Sequence, residues 1–227
     1  MTSTNTGQSF RSVVHAFTTN NAWSQFGIDL CLGCEADKPI SRRAMMFIPL
    51  YLQDDFDRAS MADSNEPLVA ETLQPVVIPA AAKDMNDTPL TPFRCFTLLF
   101  ILVTALTIYG IKHCRSLWGL DVVLFALAGV AGCMLSFLTL FSEHPAVSPN
   151  YLLLLFQPLH LLLLPWFICK VKKQKKSLYL VILALELTLF IICWAVIPQR
   201  IPLAVLPLAL CLLERCVSNM ILSHKLQ

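Results

Sequence analysis

Five long apolar runs fill the second half of the chain, separated by short polar stretches. They cover residues 93–111, 120–141, 151–169, 178–197 and 201–222. A helix needs about 20 apolar residues to cross the hydrocarbon core of a bilayer, and each run is of that order. None of the runs alternates apolar and polar positions as the strands of a membrane barrel do. Helices are therefore the expected way to satisfy the backbone in lipid. The third run holds Gln157 and His160 and is broken by Pro158 and Pro165. The fifth is the weakest, because Glu214 and Arg215 interrupt it and Pro202 and Pro207 sit in its first half. Its first part reads equally well as a re-entrant or interfacial piece. The expected fold class is mainly α: a polytopic helical membrane bundle of about five spans, preceded by a small mixed extracytoplasmic segment.

That leading segment has a different pattern. Phe10, Val13, Val14 and Phe17 recur at helical spacing over residues 9–20, with Ser9 as a candidate N-cap. Residues 23–32 are ambiguous: Phe26, Ile28, Leu30 and Leu32 alternate like a strand, whereas Trp23, Phe26 and Leu30 fit a helix face. Residues 49–61 look helical, with Leu52, Phe56 and Ala59 on one side. Residues 68–78 are β-rich around Pro75, and 79–92 read as a linker. The expected division is thus 1–78 as the C-terminal end of an outer domain, 79–92 as linker and 93–222 as the membrane domain.

Charge sharpens this division. Hydrophobic residues make up 56% of the chain and charged ones only 14%, against roughly 25% charged in soluble domains. Residues 1–92 carry six Lys and Arg against eleven Asp and Glu, net −5, while 93–227 carry eleven against four, net +7. The basic residues flank apolar runs and form no groove with exposed aromatics, so they argue against a nucleic-acid partner. Instead they set topology. The first loop holds Lys112, His113 and Arg115, and the third holds Lys170, Lys172, Lys173, Lys175 and Lys176. The second loop has no Lys or Arg and the fourth has Arg200 alone. Basic loops stay cytoplasmic, which puts the leading segment and loops two and four outside, with the C-terminus inside. The first residues, MTSTNTGQSFRS, show no signal-peptide pattern. Export of the leading segment then calls for either the first span or a signal peptide further upstream, and the second is the expectation.

Few residues suggest chemistry. Cys31 and Cys34 have C-x-x-C spacing, yet no second pair or thioredoxin-like context accompanies them; an incidental pair, reduced or joined in a disulfide, is the expected reading. His15 has no nucleophile beside it and reads as a packing or surface histidine. No metal site and no cofactor are expected. The loop SEHPAVSPN, residues 142–150, gathers Glu143, His144 and Asn150 around two stiffening prolines, Pro145 and Pro149. It is either a polar turn, with Asn150 capping the third span, or a surface set against lipid headgroups or a lipid-tethered substrate. Glu143, His144 and Asn150, with Trp23 and Asp29 of the leading segment, form the candidate docking set. Asp121, His160 and Glu186 are the intramembrane polar residues, expected to face a bundle interior or a wet cavity. Asp121 also reads as a residue at the inner interface. Glu186, nearer a span centre, is either protonated or paired, with His160 and Gln157 as candidate partners. The run KVKKQKK, residues 170–176, is suited to anionic inner-leaflet lipid as well as to fixing topology.

Several short motifs carry a resemblance. SFRSVVHAF (9–17), the Trp23 and Phe26-Gly27-Ile28-Asp29 elements, Leu32-Gly33, Ala36-Asp37-Lys38, the Met46-Phe47-x-Pro49-x-Tyr51-Leu52 run and PLVAETL (67–73) resemble the end of the periplasmic domain of Lnb-type lipoprotein N-acyltransferases. The membrane half is similar too, with Asp121 opening the second span, FSEHPAVSPN (141–150) joining spans two and three, and Pro158-Leu159-His160 within span three. The resemblance implies a bacterial inner-membrane protein with a longer NlpC/P60-like cysteine domain. That domain brings a histidine in an F-G-H-type motif and a cysteine in an N-C-T-T-R-type motif. Neither motif occurs in this sequence, so no catalytic residue is carried over, and whether the chain itself is an enzyme is left open. The implied reaction is acyl transfer from a membrane phospholipid, through a cysteine thioester, to the terminal amine of a diacylated lipoprotein. The chain is then expected to be the anchoring C-terminal part, holding a catalytic domain that lies upstream. Two other classes remain: a structural or partner-binding membrane protein without chemistry, and a small transporter using His160 and Glu186. The transporter reading predicts inverted repeats, and none is visible.

Overall fold

The computed structural model describes residues 5–19, 21–69 and 89–225. The apolar runs reappear as helices, but with different breaks. α5 (Pro92–Lys112), α6 (Trp118–Phe141) and α10 (Val205–Lys225) are each long and apolar enough to cross a membrane. Thr91 caps α5 by accepting from the Arg94 amide, and Pro92 takes the first helical position, where its lack of an N–H costs nothing. α9 (Leu178–Ile192) is apolar but only 15 residues long, roughly 22 Å at 1.5 Å per residue. Turns carry the chain on from Cys193 towards loop four.

The third run is not one helix. It folds as a 3-10 turn at Tyr151–Leu154, then α7 (Leu159–Leu162) and α8 (Leu164–Lys172). Pro158 caps α7 and Pro165 lies in the first turn of α8, so each proline starts a new helix rather than kinking an old one. Polar side chains satisfy the carbonyls freed by the break. His160 Nε2 donates to the Leu155 carbonyl at 2.9 Å, and the Gln157 amide donates to the Leu154 carbonyl at 2.9 Å. The fifth run departs from expectation in the opposite sense. α10 is continuous through Glu214 and Arg215, and Pro207 falls in its first turn, where a missing N–H is tolerated.

α10 lies between α5 and α9, while α6 packs against α7 and α8. The core between them includes Val103, Phe125, Leu135, Leu155, Phe167, Leu187 and Cys216. On α6, Gly132 lets the broken segment approach backbone to backbone: a Cβ there would lie 2.6 Å from the Gln157 carbonyl carbon, closer than any side chain permits. Leucines such as Leu140 and Leu185 face outward, as a bilayer requires.

One ion pair ties three helices together. Asp121, fully buried, accepts from Arg215 Nε at 2.7 Å and from Nη2 at 3.2 Å. Arg215 Nη1 donates to Thr107 Oγ1 at 3.0 Å, and the Asn219 amide donates to Asp121 at 3.0 Å. Asp121, in the first turn of α6, is therefore buried within the bundle, and Arg215 is what permits it. Glu214 accepts from the Thr104 hydroxyl at 2.7 Å. Glu186 is half-buried on α9 and, among the described residues, meets neither His160 nor Gln157, contrary to the pairing suggested by the sequence.

The ends of the bundle sort as the loop charges suggest. Gln174 of the third loop donates to the Cys114 carbonyl of the first at 3.0 Å, so the two basic loops share one end. Loops two and four meet at the other, where the Tyr151 amide donates to Gln199 Oε1 at 2.7 Å.

The leading segment rests on that second end. β1 (Asn5–Ser9) pairs antiparallel with β2 (Pro39–Ser41). α1 (Phe10–Thr18) begins at Ser9 with a capping box, as expected of the N-cap. α2 (Ala22–Cys31) settles the ambiguous stretch as helix. Asn21 caps it, and its Phe26–Leu30 face packs on the bundle core; that tertiary contact overrides the alternating pattern. A one-turn helix, α3 (Arg42–Met45), and α4 (Pro49–Asp57) complete the segment. Nearly all of the stretches expected as β-rich (68–78) and as linker (79–92) lie outside the described residues, and Pro92 already belongs to α5.

The buried pair yields a stability prediction. Asp121→Ala leaves the Arg215 guanidinium unpaired inside the bundle and is expected to cost about 3–5 kcal/mol, measured as unfolding by a denaturing detergent from mild micelles. The double change Asp121→Leu with Arg215→Met should recover most of that loss. A single variant as stable as the parent would show that the pair does not hold the helices.

Candidate functional site

The most densely bonded polar group in the leading segment is Arg11. The capping box at Ser9 fixes the start of α1 and turns Arg11 inward, where its side chain is 1% exposed. Its Nη1 donates to Asp29 Oδ1 at 2.7 Å, and its Nε donates to Asp37 Oδ1 at 2.8 Å. Its Nη2 reaches the carbonyls of Leu32 at 3.1 Å and Gly33 at 3.3 Å. One planar guanidinium thus gathers α1, the end of α2 and the 3-10 turn Cys34–Asp37. Arginine suits this role because its donors are fixed in a fork and it stays charged when buried.

The stretch that Arg11 holds is the one that meets the membrane bundle. The Gly33 amide donates to the Ala146 carbonyl at 2.8 Å, and the Cys34 amide donates to the Pro149 carbonyl at 2.9 Å. Asn150 donates to the Leu30 carbonyl at 2.7 Å and, with its own carbonyl oxygen, caps the Tyr151–Leu154 turn. Gln199 from loop four donates to the Leu32 carbonyl at 2.9 Å and to Asn150 Oδ1 at 3.1 Å. The Arg200 amide donates to Asp37 at 2.9 Å. Gly33 has to be glycine here, since a Cβ would lie 2.5 Å from the Pro149 carbonyl oxygen. Below these bonds, Leu32, Ala36 and Ala146 pack with Phe10 and Ile28.

The structure brings together some of the expected docking residues and separates others. Asp29 and Asn150 both belong to this junction. His144 stands at its edge, capping the Pro145–Val147 turn through Nδ1 and meeting the Phe10 ring edge-on at 5.4 Å. Glu143 is exposed and has no partner among the described residues. Trp23 lies elsewhere: its indole N–H donates to the Leu90 carbonyl at 2.8 Å and its ring packs against Phe26 and Phe96, so it ties α2 to the start of α5. Asp121 and His160 are buried inside the bundle, and His160 pairs with the Tyr179 hydroxyl and the Leu155 carbonyl. Arg11, Asp37 and Gln199 were not singled out from sequence, although Asp37 stands in one of the motifs that carry the resemblance.

The polar groups of the junction are bonded to one another. His15 Nε2 lies 2.7 Å from Asp29 and Nδ1 lies 3.1 Å from the Gln25 amide. Both ring nitrogens of His15 are therefore engaged within the leading segment. Cys31 and Cys34 are free thiols, not a disulfide. Burial pushes the Cys31 thiol up; burial, then the Glu35 carboxylate, pushes the Cys34 thiol up. A thiol so shifted is a poor nucleophile at neutral pH. Among the described residues no three His, Cys, Asp or Glu are grouped to hold a metal ion.

Beside the junction, an apolar cavity of about 240 Å³ runs between α2 and the bundle. Phe26 and Leu30 line it from α2, Phe96 and Leu99 from α5, and Leu124 and Leu212 from α6 and α10. Its walls are suited to a hydrocarbon chain and offer little to a polar ligand.

Residues 83–227 match the family model of the Lnb transmembrane domain. No curated protein and no solved structure matches the chain. The matched stretch takes in every helix from α5 to α10, both basic loops and the loops that receive the leading segment. The chain is a multi-pass membrane protein and belongs to the Lnb transmembrane domain family.

Proposed function

We propose that this chain is the membrane platform of a lipoprotein N-acyltransferase-like envelope protein. Its bundle of five membrane segments holds a cysteine acyltransferase domain at the outer face of the bacterial inner membrane. Residues 1–78 are the end of that outer domain, and the junction around Arg11 is its seat. The observation that carries the proposal is the pairing of Gly33 and Cys34 amides with the Ala146 and Pro149 carbonyls, locked from behind by Arg11. A segment joined to a bundle by backbone bonds and buried charge cannot swing freely, as positioning at headgroup height demands. Both substrates of the reaction, a phospholipid and a diacylated lipoprotein, are anchored in the outer leaflet. Fixing the reacting groups at that height turns an encounter in three dimensions into one in a plane and supplies much of the orientation the chemistry needs. The apolar cavity beside the junction is the natural place for one acyl chain to rest.

Orientation is open to a direct test. A cysteine placed at Gln174 in a cysteine-free background should resist an impermeant thiol reagent in intact cells, and one placed at Glu143 should react. Reaction at position 174 in intact cells would overturn the assignment.

The platform role has its own test. Mixed with phospholipid and a diacylated lipopeptide, the purified chain should give no triacylated product. In a longer family member, alanine at the positions aligned with Arg11 and Asn150 should lower acyl transfer by about tenfold or more, as loss of orientation does, while membrane insertion stays normal. Full activity in that double variant would reduce the junction to a connector. Product formed by the chain alone and lost in Cys31→Ser or Cys34→Ser would place the nucleophile here after all.

A further inference from the structure

At the basic end of the bundle, α9 and α10 part to leave a pocket of about 460 Å³. Ser177 lines it at the N-cap position of α9, yet its side chain makes no capping bond. The residue is only 5% exposed and its hydroxyl is buried with no partner. A buried hydroxyl left unpaired in this way is uncommon and calls for an acceptor or donor that sits in the site. The same place holds the first free amides of a 15-residue helix, a site that favours anions through the unpaired N–H groups and the helix dipole. Lys175 and Lys176 line the pocket from the loop and His224 lines it from α10. Deeper in, Leu180, Val181 and Met220 give it apolar walls.

We propose that this pocket binds the headgroup of an anionic phospholipid. The phosphate sits on the α9 N-terminus, accepts from the Ser177 hydroxyl and is flanked by Lys175 and Lys176. One acyl chain descends along Leu180 and Val181 into the leaflet. A soluble phosphate shares the polar half of this chemistry, but the apolar walls continue the site into the membrane and select the lipid. The other lysines of the run are arranged differently: Lys172 lies over the Trp118 ring at 3.8 Å, and neither it nor Lys173 lines the pocket. The site is therefore a particular pair of lysines and a serine, not the loop's overall charge. It stands on the opposite end of the bundle from the Arg11 junction and does not depend on the proposed acyl transfer.

The test uses the purified chain in neutral detergent, with bound lipid counted by native mass spectrometry. Phosphatidylglycerol should be retained over phosphatidylcholine by about tenfold. Lys175→Gln with Lys176→Gln should remove that preference, and Ser177→Ala should weaken it several-fold. The control pair Lys172→Gln with Lys173→Gln removes the same charge and should leave it intact. Lys175 and Lys176 are exposed, so thermal unfolding without lipid should be unchanged in that pair. Three results would each overturn the proposal: equal retention of the two lipids, an equal loss in the control pair, or displacement of phosphatidylglycerol by millimolar inorganic phosphate.

Discussion

Inside a bilayer no polar group can fall back on water, and that constraint shapes every unusual feature of this bundle. The broken third segment is possible because His160 and Gln157 occupy carbonyls that the break leaves free. The charged pair Asp121–Arg215 is possible because each carboxylate oxygen and each guanidinium nitrogen finds a partner on α5, α6 or α10. Removing either partner strands a charge, whereas replacing both with apolar groups need not be costly. The pair therefore acts less as a source of net stability than as a register pin: only one relative placement of α5, α6 and α10 satisfies it.

The same logic governs the leading segment, which lies outside the apolar runs yet buries its key polar groups almost as completely. Arg11 draws in two carboxylates and two carbonyls. Its charge is balanced locally, so the stretch from Asp29 to Asp37 becomes a stiff unit. That stiffness is what lets two backbone amides, at Gly33 and Cys34, be presented at fixed spacing to loop two. A mobile loop would lose more ordering entropy than two backbone hydrogen bonds return.

Much of this was legible in the sequence, because the strongest signals were periodic. The apolar runs, the Ser9 cap, the Asn150 cap and the grouping of the basic loops all follow from local rules. What was not legible depended on partners distant along the chain. Nothing near Asp121 announces Arg215, which lies 94 residues away, and Glu214-Arg215 read locally as an interruption of a span. Helical periodicity places Arg215 on the buried face of α10, and a buried acid elsewhere was the clue that it had a use. Arg11 was similarly overlooked because a lone basic residue in an acidic segment usually faces solvent. Asp29 and Asp37, the two carboxylates that hold it, stand 18 and 26 residues further along the chain. Residues 23–32 were ambiguous for a related reason: strand and helix patterns coincide over short runs, and only the contact of Phe26 and Leu30 with the bundle decides between them.

The two ends of the bundle are built on opposite physical terms. At the end that receives the leading segment, positive charge is scarce, and contact is made by neutral backbone bonds, buried side-chain amides and one enclosed arginine. Such bonds are short-ranged and directional, so they fix a position and are little affected by salt. At the basic end, lysines stay exposed on flexible stems, which suits attraction over a Debye length but not fixed geometry. The charge asymmetry of the sequence, net −5 over residues 1–92 and net +7 over 93–227, follows the same division, because most of the basic residues of the second half stand in the two loops that share one end of the bundle.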